Sequence, residues 1–228
     1  MKNQELIEAA LHKIYEESRE FFRLIERKTD YGFKIFNAPP IYRTPILFIG
    51  YQPGGDEVAA QDEINRGSHL TWPEKAEYAT ASWKLAREMR SMLGSEIDLN
   101  RCVGINAIFL RAPDVKKYKE DVNKKARADV KNFCKEQVVK IVSLVNPLNV
   151  IAIGFSTLRL FGETEPDLTS LTSFTSGGRP RELTCQGRIG KNKALGVLHL
   201  SGFRISRDDR ARIANRIISY ANTPGGPQ

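Results

Sequence analysis

Nowhere in the 228 residues do apolar side chains run for the roughly 18 positions that a membrane span needs, and the opening MKNQELIEAA has no apolar core of the kind found in signal peptides. The expectation is a soluble, cytoplasmic protein with no membrane partner. Cysteine is scarce. Cys102, Cys134 and Cys185 are odd in number, widely spaced and free of any CxxC or CxxH pair, so they read as reduced thiols and exclude a disulfide framework or a zinc site. The glycine patterns that cradle nucleotide phosphates, GxGxxG and the Walker sequence, are missing, and so is the GxSxG of a hydrolase nucleophile. Neither a metal nor a cofactor is expected, and there are no internal repeats.

What is present is the composition of a folded domain: 41% hydrophobic and 27% charged residues, enough apolar material for a full core and too much for a disordered chain. The length fits one domain over residues 1–228, and a monomer is expected. A formal charge of +8 points to a polyanionic partner, nucleic acid first. Basic surfaces also occur on proteins that never meet DNA, so charge alone leaves both readings open.

Apolar residues at steps of three and four (Ile7, Leu11, Ile14, Phe21, Phe22, Ile25) predict an amphipathic helix over 5–27, within an N-terminal helical extension spanning 1–40. Strands are expected at 45–50, 102–110, 149–154 and 194–200. Helical pattern separates them: Trp72-Pro73 opens a helix reaching Leu93, a lysine-rich loop precedes a helix over 128–145, and FSTLRLFG is a short helix after the third strand. Residues 163–193 show no period and suit a hairpin or a mobile loop. A last helix over 207–220 leads to a tail, 222–228, expected to be disordered. Apolar strands alternating with helices imply an α/β fold, a three-layer αβα sandwich with a central four-stranded parallel sheet.

In such sheets ligands bind beyond the carboxyl ends of the strands, which directs attention to Gln52, to Asn106 with Arg111, to Phe155 with Ser156, and to His199 with Ser201. The first strand runs into GYQPGGDE, a loop nearly without side chains, where Gly54 and Gly55 let a ligand approach the backbone. A turn that merely starts a helix is the plainer reading. Asn106 lies within an apolar strand, where its amide must find partners or cost about 1–3 kcal/mol. It can read the edge of a nucleobase or brace a neighbouring loop. His199 ends an apolar strand and has an equally plain structural reading. The following SGFRISRDDRAR, with its exposed aromatic and its arginines Arg204, Arg207, Arg210 and Arg212, suits a loop and helix end pressed against DNA.

Together these pieces resemble the uracil-DNA glycosylase superfamily, over about Pro45 to Ile218. GYQPGG looks like its first motif, GINAIFLRAP is similar to the strand that carries its base-reading asparagine, HLSGF resembles its last motif, and VIAIGFSTLRLFG is similar to a strand and helix of its iron–sulfur branch. The resemblance implies a uracil-DNA glycosylase-like fold and an enzyme that flips a base out of single- or double-stranded DNA and hydrolyses its glycosidic bond. It assigns Asn106 to the Watson–Crick edge and His199 to the departing base. Gly50, Tyr51, Pro53 and Gly54 would lie against the base and the attacking water, and Trp72 or His69 would stack on the base. Ser201, with Gly202, Arg204 and Arg207, would hold the DNA backbone, and Phe203 would fill the gap in the stack. The chain departs from the pattern in three places. Gln52 stands where the most active branch has a carboxylate, so it can orient a water but not take its proton. Leu200 replaces the usual proline, and the four cluster cysteines are missing. A non-catalytic DNA- or modified-nucleotide-binding protein on the same fold is the alternative.

Overall fold

The computed structural model describes residues 2–55, 57–65, 67, 70–167, 172–174, 180–201 and 205–222. Helix α1 (Lys2–Arg23) opens the chain and buries Ile7, Leu11, Ile14, Tyr15 and Phe22. Strand β1 (Leu47–Gly50) follows, then α2 (Glu57–Asn65), α3 (Glu77–Thr80) and α4 (Lys84–Leu93). Next come β2 (Val103–Asn106), α5 (Val115–Asp121), α6 (Lys124–Val145), β3 (Val150–Ile153) and α7 (Phe155–Arg159). The remainder comprises β4 (Glu165–Pro166), β5 (Thr172–Phe174), β6 (Pro180–Glu182), β7 (Thr184–Ile189), β8 (Asn192–Val197) and α8 (Arg207–Asn222).

The protein is an α/β fold whose main sheet is six-stranded and mixed, in the order β2-β1-β3-β8-β7-β4. This corrects the four-stranded, wholly parallel sheet expected from sequence. The pairs β2–β1, β1–β3 and β3–β8 are parallel, and β7 and β4 extend the sheet antiparallel. The added strands lie in the stretch that showed no period. Its hairpin turns at Gly190-Lys191, where Gly190 takes φ 60°, a value that side chains resist. A second, two-stranded sheet pairs β5 with β6.

Alternate residues of the buried strands feed two apolar clusters, one on each face. Leu47, Ile49, Val103, Ile105, Val150 and Ala152 join the cluster that holds residues of α1 and α6. Phe48, Ile151, Ile153, Leu195 and Val197 join the one that holds residues of α4 and α8. On the first face, Phe21 of α1 stacks on Phe133 of α6 with ring centroids 4.0 Å apart.

Three local expectations change. The helix expected over 72–93 does not open at Trp72 but at Glu77, and it is broken at 81–83, where Ala81 and Trp83 are extended and Arg90 bonds to the freed carbonyls of Tyr78 and Ala81. The lysine-rich loop is mostly helix: Asp114 caps α5 by accepting from Lys117 N at 2.7 Å, and Asn123 caps α6 by accepting from Ala126 N at 2.9 Å. The N-terminal extension is helical only as far as Arg23. Beyond it the chain runs antiparallel along the open edge of β2 through the bridges Phe33↔Leu110 and Phe36↔Ile105, so it belongs to the domain core. Helix α8 ends at Asn222; the tail beyond it lies outside the described residues.

Candidate functional site

Parallel pairing brings the carboxyl ends of β2, β1, β3 and β8 into one row. Register sets Gly50 opposite Asn106, and with strand spacings of about 4.8 Å the outer two strands are about 14 Å apart. At one end of the row, Asn106 is 3% exposed and its Nδ2 donates to Lys34 O at 3.3 Å. Its Oδ1 faces Gly50: a Cβ built on that glycine would lie 3.5 Å from it. No hydrogen-bond partner for this oxygen occurs among the described residues.

The loop after β1 is held by main-chain bonds. Ala107 N and Ile108 N donate to Gly50 O and Tyr51 O, each at 2.8 Å, and Ala112 N donates to Pro53 O at 3.4 Å. The end of β2 therefore turns away from strand pairing to carry this loop, which is why β2 stops at Asn106 and not at Leu110. Gly55 has φ 137°, a conformation that calls for glycine, whereas a Cβ at Gly54 would come no nearer than 3.9 Å to Pro113 O. Packing makes no demand for glycine at Gly54 or Gly50. Between them, Gln52 turns both amide atoms away from solvent, and neither has a hydrogen-bond partner among the described residues. Leaving both atoms unmet costs about 1–3 kcal/mol each, so a water or ligand belongs there.

At the other end, β8 leads into His199. Its Cδ2 would lie 3.8 Å from a Cβ on Gly154, the residue after β3, which has φ 91°. Its Nδ1 is 3.0 Å from Ser201 Oγ. Although His199 keeps an exposed edge, desolvation and, after it, the charge of Lys84 hold its pKa below the ordinary histidine value. Both causes favour the neutral form of the ring. Leu200 is fully buried in the cluster beneath α8, so it is the core that holds this loop.

Of the other residues expected here, Tyr51 is half-buried, and burial raises its phenol pKa. Ser156 is exposed beside Gly154. Trp72 is placed against α1, its ring 4.5 Å from His12 and 6.1 Å from Tyr15, in a cluster that also includes Phe36. His69, Gly202, Phe203 and Arg204 lie outside the described residues. Arg207 is exposed in the first turn of α8, whereas Arg210 pairs with Glu88 of α4 and Arg212 with Asp209 at 3.7 Å. Arg210 and Arg212 thus have acidic partners within the protein.

Arg111 was singled out at a strand end, but its acidic partner and two further supporting groups escaped the sequence reading. Arg111, 8% exposed in its side chain, forms a two-armed pair with Glu63 at 2.9 and 3.1 Å, fastening α2 over the loop after β1. Asp209 accepts from Ser173 at 2.8 Å and from Arg181 at 2.9 Å, tying the small sheet to the start of α8. Buried Asp167 takes Arg216 at 2.7 and 3.0 Å, with Thr184 and Gln186. Each joins residues far apart in the chain, so no local pattern announces it. The three cysteines are buried and free, their thiols pushed by burial up to about 12, 12 and 11 for Cys102, Cys134 and Cys185, which removes them as nucleophiles at neutral pH. Among the described residues no cluster of acidic, histidine and cysteine side chains is placed to hold a metal, and no helix is long and apolar enough to cross a membrane.

No protein-family model matches the chain, and no curated protein matches it.

Proposed function

We propose that the protein is a monofunctional DNA base glycosylase of uracil-DNA glycosylase type, hydrolysing the bond between deoxyribose and uracil or another deaminated base held outside the stack. The observation that carries this reading is the pair of amides at adjacent strand ends: Asn106 closes β2 with its Oδ1 facing Gly50, and Gln52, in the loop after β1, has both polar atoms buried and unpartnered among the described residues. A pyrimidine edge offers what these groups lack: an N–H for Asn106 Oδ1 and a carbonyl for the second Nδ2 hydrogen.

In the reaction, the bond from the sugar C1′ to the base breaks with its electron pair on the base, and water oxygen bonds to C1′. One water proton is released to solvent and the base anion is later protonated. With Ser201 Oγ–H donating to Nδ1, neutral His199 keeps its proton on Nε2 and donates to the anionic base oxygen. Gln52 orients the water. An amide cannot accept its proton, so the rate lacks part of the 10²–10⁴-fold that a general base commonly supplies.

That same amide favours a second reading, a protein that binds DNA or a modified nucleotide without turnover. Labelled oligonucleotides bearing uracil, hypoxanthine, xanthine or mismatched thymine, treated with protein and then alkali, separate the two. Strand breaks at one lesion support the glycosylase; tight lesion binding with no breaks at high protein concentration supports the binder.

A further inference from the structure

The net charge is concentrated in two stretches. Residues 114–127 hold six cations and three acids, and residues 201–216 hold five and two, so together they supply net +6 of the chain's +8. The first stretch leaves the carboxyl end of β2 and the second leaves that of β8, the two outer strands of the parallel four. The two most basic stretches of the chain therefore follow the two outer strands of the row, a relation invisible in the linear sequence.

The two stretches differ in how much of that charge is free. On the α8 side Arg210, Arg212 and Arg216 are spent on Glu88, Asp209 and Asp167. On the other side Lys119, Lys124 and Lys125 are exposed and make no ion pair among the described residues, while Lys116, 87% exposed, reaches Glu120 only at 3.8 Å. Helix α5 sits directly on the loop after β1. Its Tyr118 is buried, its phenol pKa raised by burial first and then by Cys134 and by Tyr51 of that loop, and Pro113 O lies beside Gly54. The outer face of α5 is thus about one helix diameter, roughly 10 Å, from the loop.

Lys124 and Lys125 are also badly placed for local stability. Neither α5 nor α6 has an acid in its first turn, and Lys124 and Lys125 add positive charge to the positive end of a 22-residue helix. Cations there cost a few tenths of a kcal/mol each, so a bound anion relieves a conflict that folding alone leaves standing.

We infer that Lys119, Lys124 and Lys125 form a phosphate-binding face for duplex DNA, engaging the backbone on the flank of the flipped nucleotide opposite α8. The inference rests on the DNA-directed reading above, which it deepens by making α5–α6 the larger electrostatic contact.

The test is the salt dependence of binding to a labelled lesion-free duplex, run beside the lesion panel. Changing all three lysines (Lys119→Gln, Lys124→Gln, Lys125→Gln) lowers the slope of log affinity against log salt by about 0.9 for each lysine that meets a phosphate, up to about 2.7. At the full value, the advantage of wild type over the triple variant shrinks about 40-fold between about 0.05 and 0.2 M salt. A control triple, Lys135→Gln, Lys191→Gln and Lys193→Gln, removes equal charge from exposed positions, two of them at the turn that enters β8 from the opposite edge of the sheet, and keeps the wild-type slope. Equal slope changes in both triples, or none in the first, overturn the inference. If wild type cleaves a lesion while the first triple leaves the slope unchanged, the surface is wrong and the glycosylase stands. If wild type cleaves nothing while the first triple alone lowers the slope, the surface stands and the glycosylase falls.

Discussion

Gly50→Ala separates a glycine kept for the fold from one kept for a ligand. The added methyl would sit 3.5 Å from Asn106 Oδ1 and 3.8 Å from Ile105 O and from Tyr78 Oη, all ordinary contact distances, and Gly50 is not in the left-handed region. The folded state therefore accepts the methyl. Alanine also narrows the unfolded ensemble, a stabilisation of about 0.4–1 kcal/mol, which for a chain of this size raises the melting temperature by about 1–4 °C. For a ligand the same methyl stands in front of the Asn106 oxygen and displaces an approaching base edge by more than 1 Å, enough to cost on the order of 100-fold in rate. Thermal melts and single-turnover strand-break assays on the cleaved lesion measure the two effects. Gly196→Ala serves as the contrast, because its Cβ would meet Cys185 Sγ at 2.6 Å and Leu158 Cδ2 at 3.0 Å and must destabilise. Wild-type turnover in Gly50→Ala would show that no ligand approaches this glycine, and a large loss of stability would show that the fold needs it.

Gln52→Leu removes two buried, unpartnered polar atoms; unfolding in urea should show stability unchanged or raised by about 1–3 kcal/mol while turnover slows, and a destabilised variant would mean the amide is a structural brace. Asn106→Asp replaces the donor that a uracil carbonyl needs with a second acceptor, so competition between lesions should move from uracil towards cytosine; unchanged preference would remove Asn106 from base reading. His199→Ala should leave lesion affinity near wild type and reduce the single-turnover rate, an outcome that equal rates would refute. Lys84→Gln should raise the His199 titration midpoint in NMR, since that charge is the second cause of its depression. Because the folded value lies below the ordinary 6.5, the unfolded chain takes up the proton first, so His199 makes stability fall as pH drops through 6.5 towards the folded value. His199→Asn should flatten that part of the stability profile.

Local pattern was sufficient for what local physics governs. The period of three and four in α1 and the apolar runs at β1, β2, β3 and β8 were legible because burial of one face or of both leaves a direct mark on the sequence. The strand ends named Asn106, Gln52 and His199 as candidates for the same reason: a polar residue closing an apolar run is conspicuous. The caps at Asp114 and Asn123 were overlooked amid lysines whose charge imitates a solvated loop, although capping by an aspartate or asparagine outweighs the modest cost of those charges.

Tertiary structure alone decided the rest. Strand order is set by which apolar faces pack together, and only that order makes Gly50 a neighbour of Asn106 and sets Gly154 against His199. Folding likewise assigned the arginines after His199, sending Arg210 to Glu88 and Arg212 to Asp209, since a cation in water has no preference until an acid is brought within reach. Composition fixed the total charge at +8 through side-chain chemistry that does not depend on fold, and topology made the strands that precede the two most basic stretches the outer strands of one parallel row.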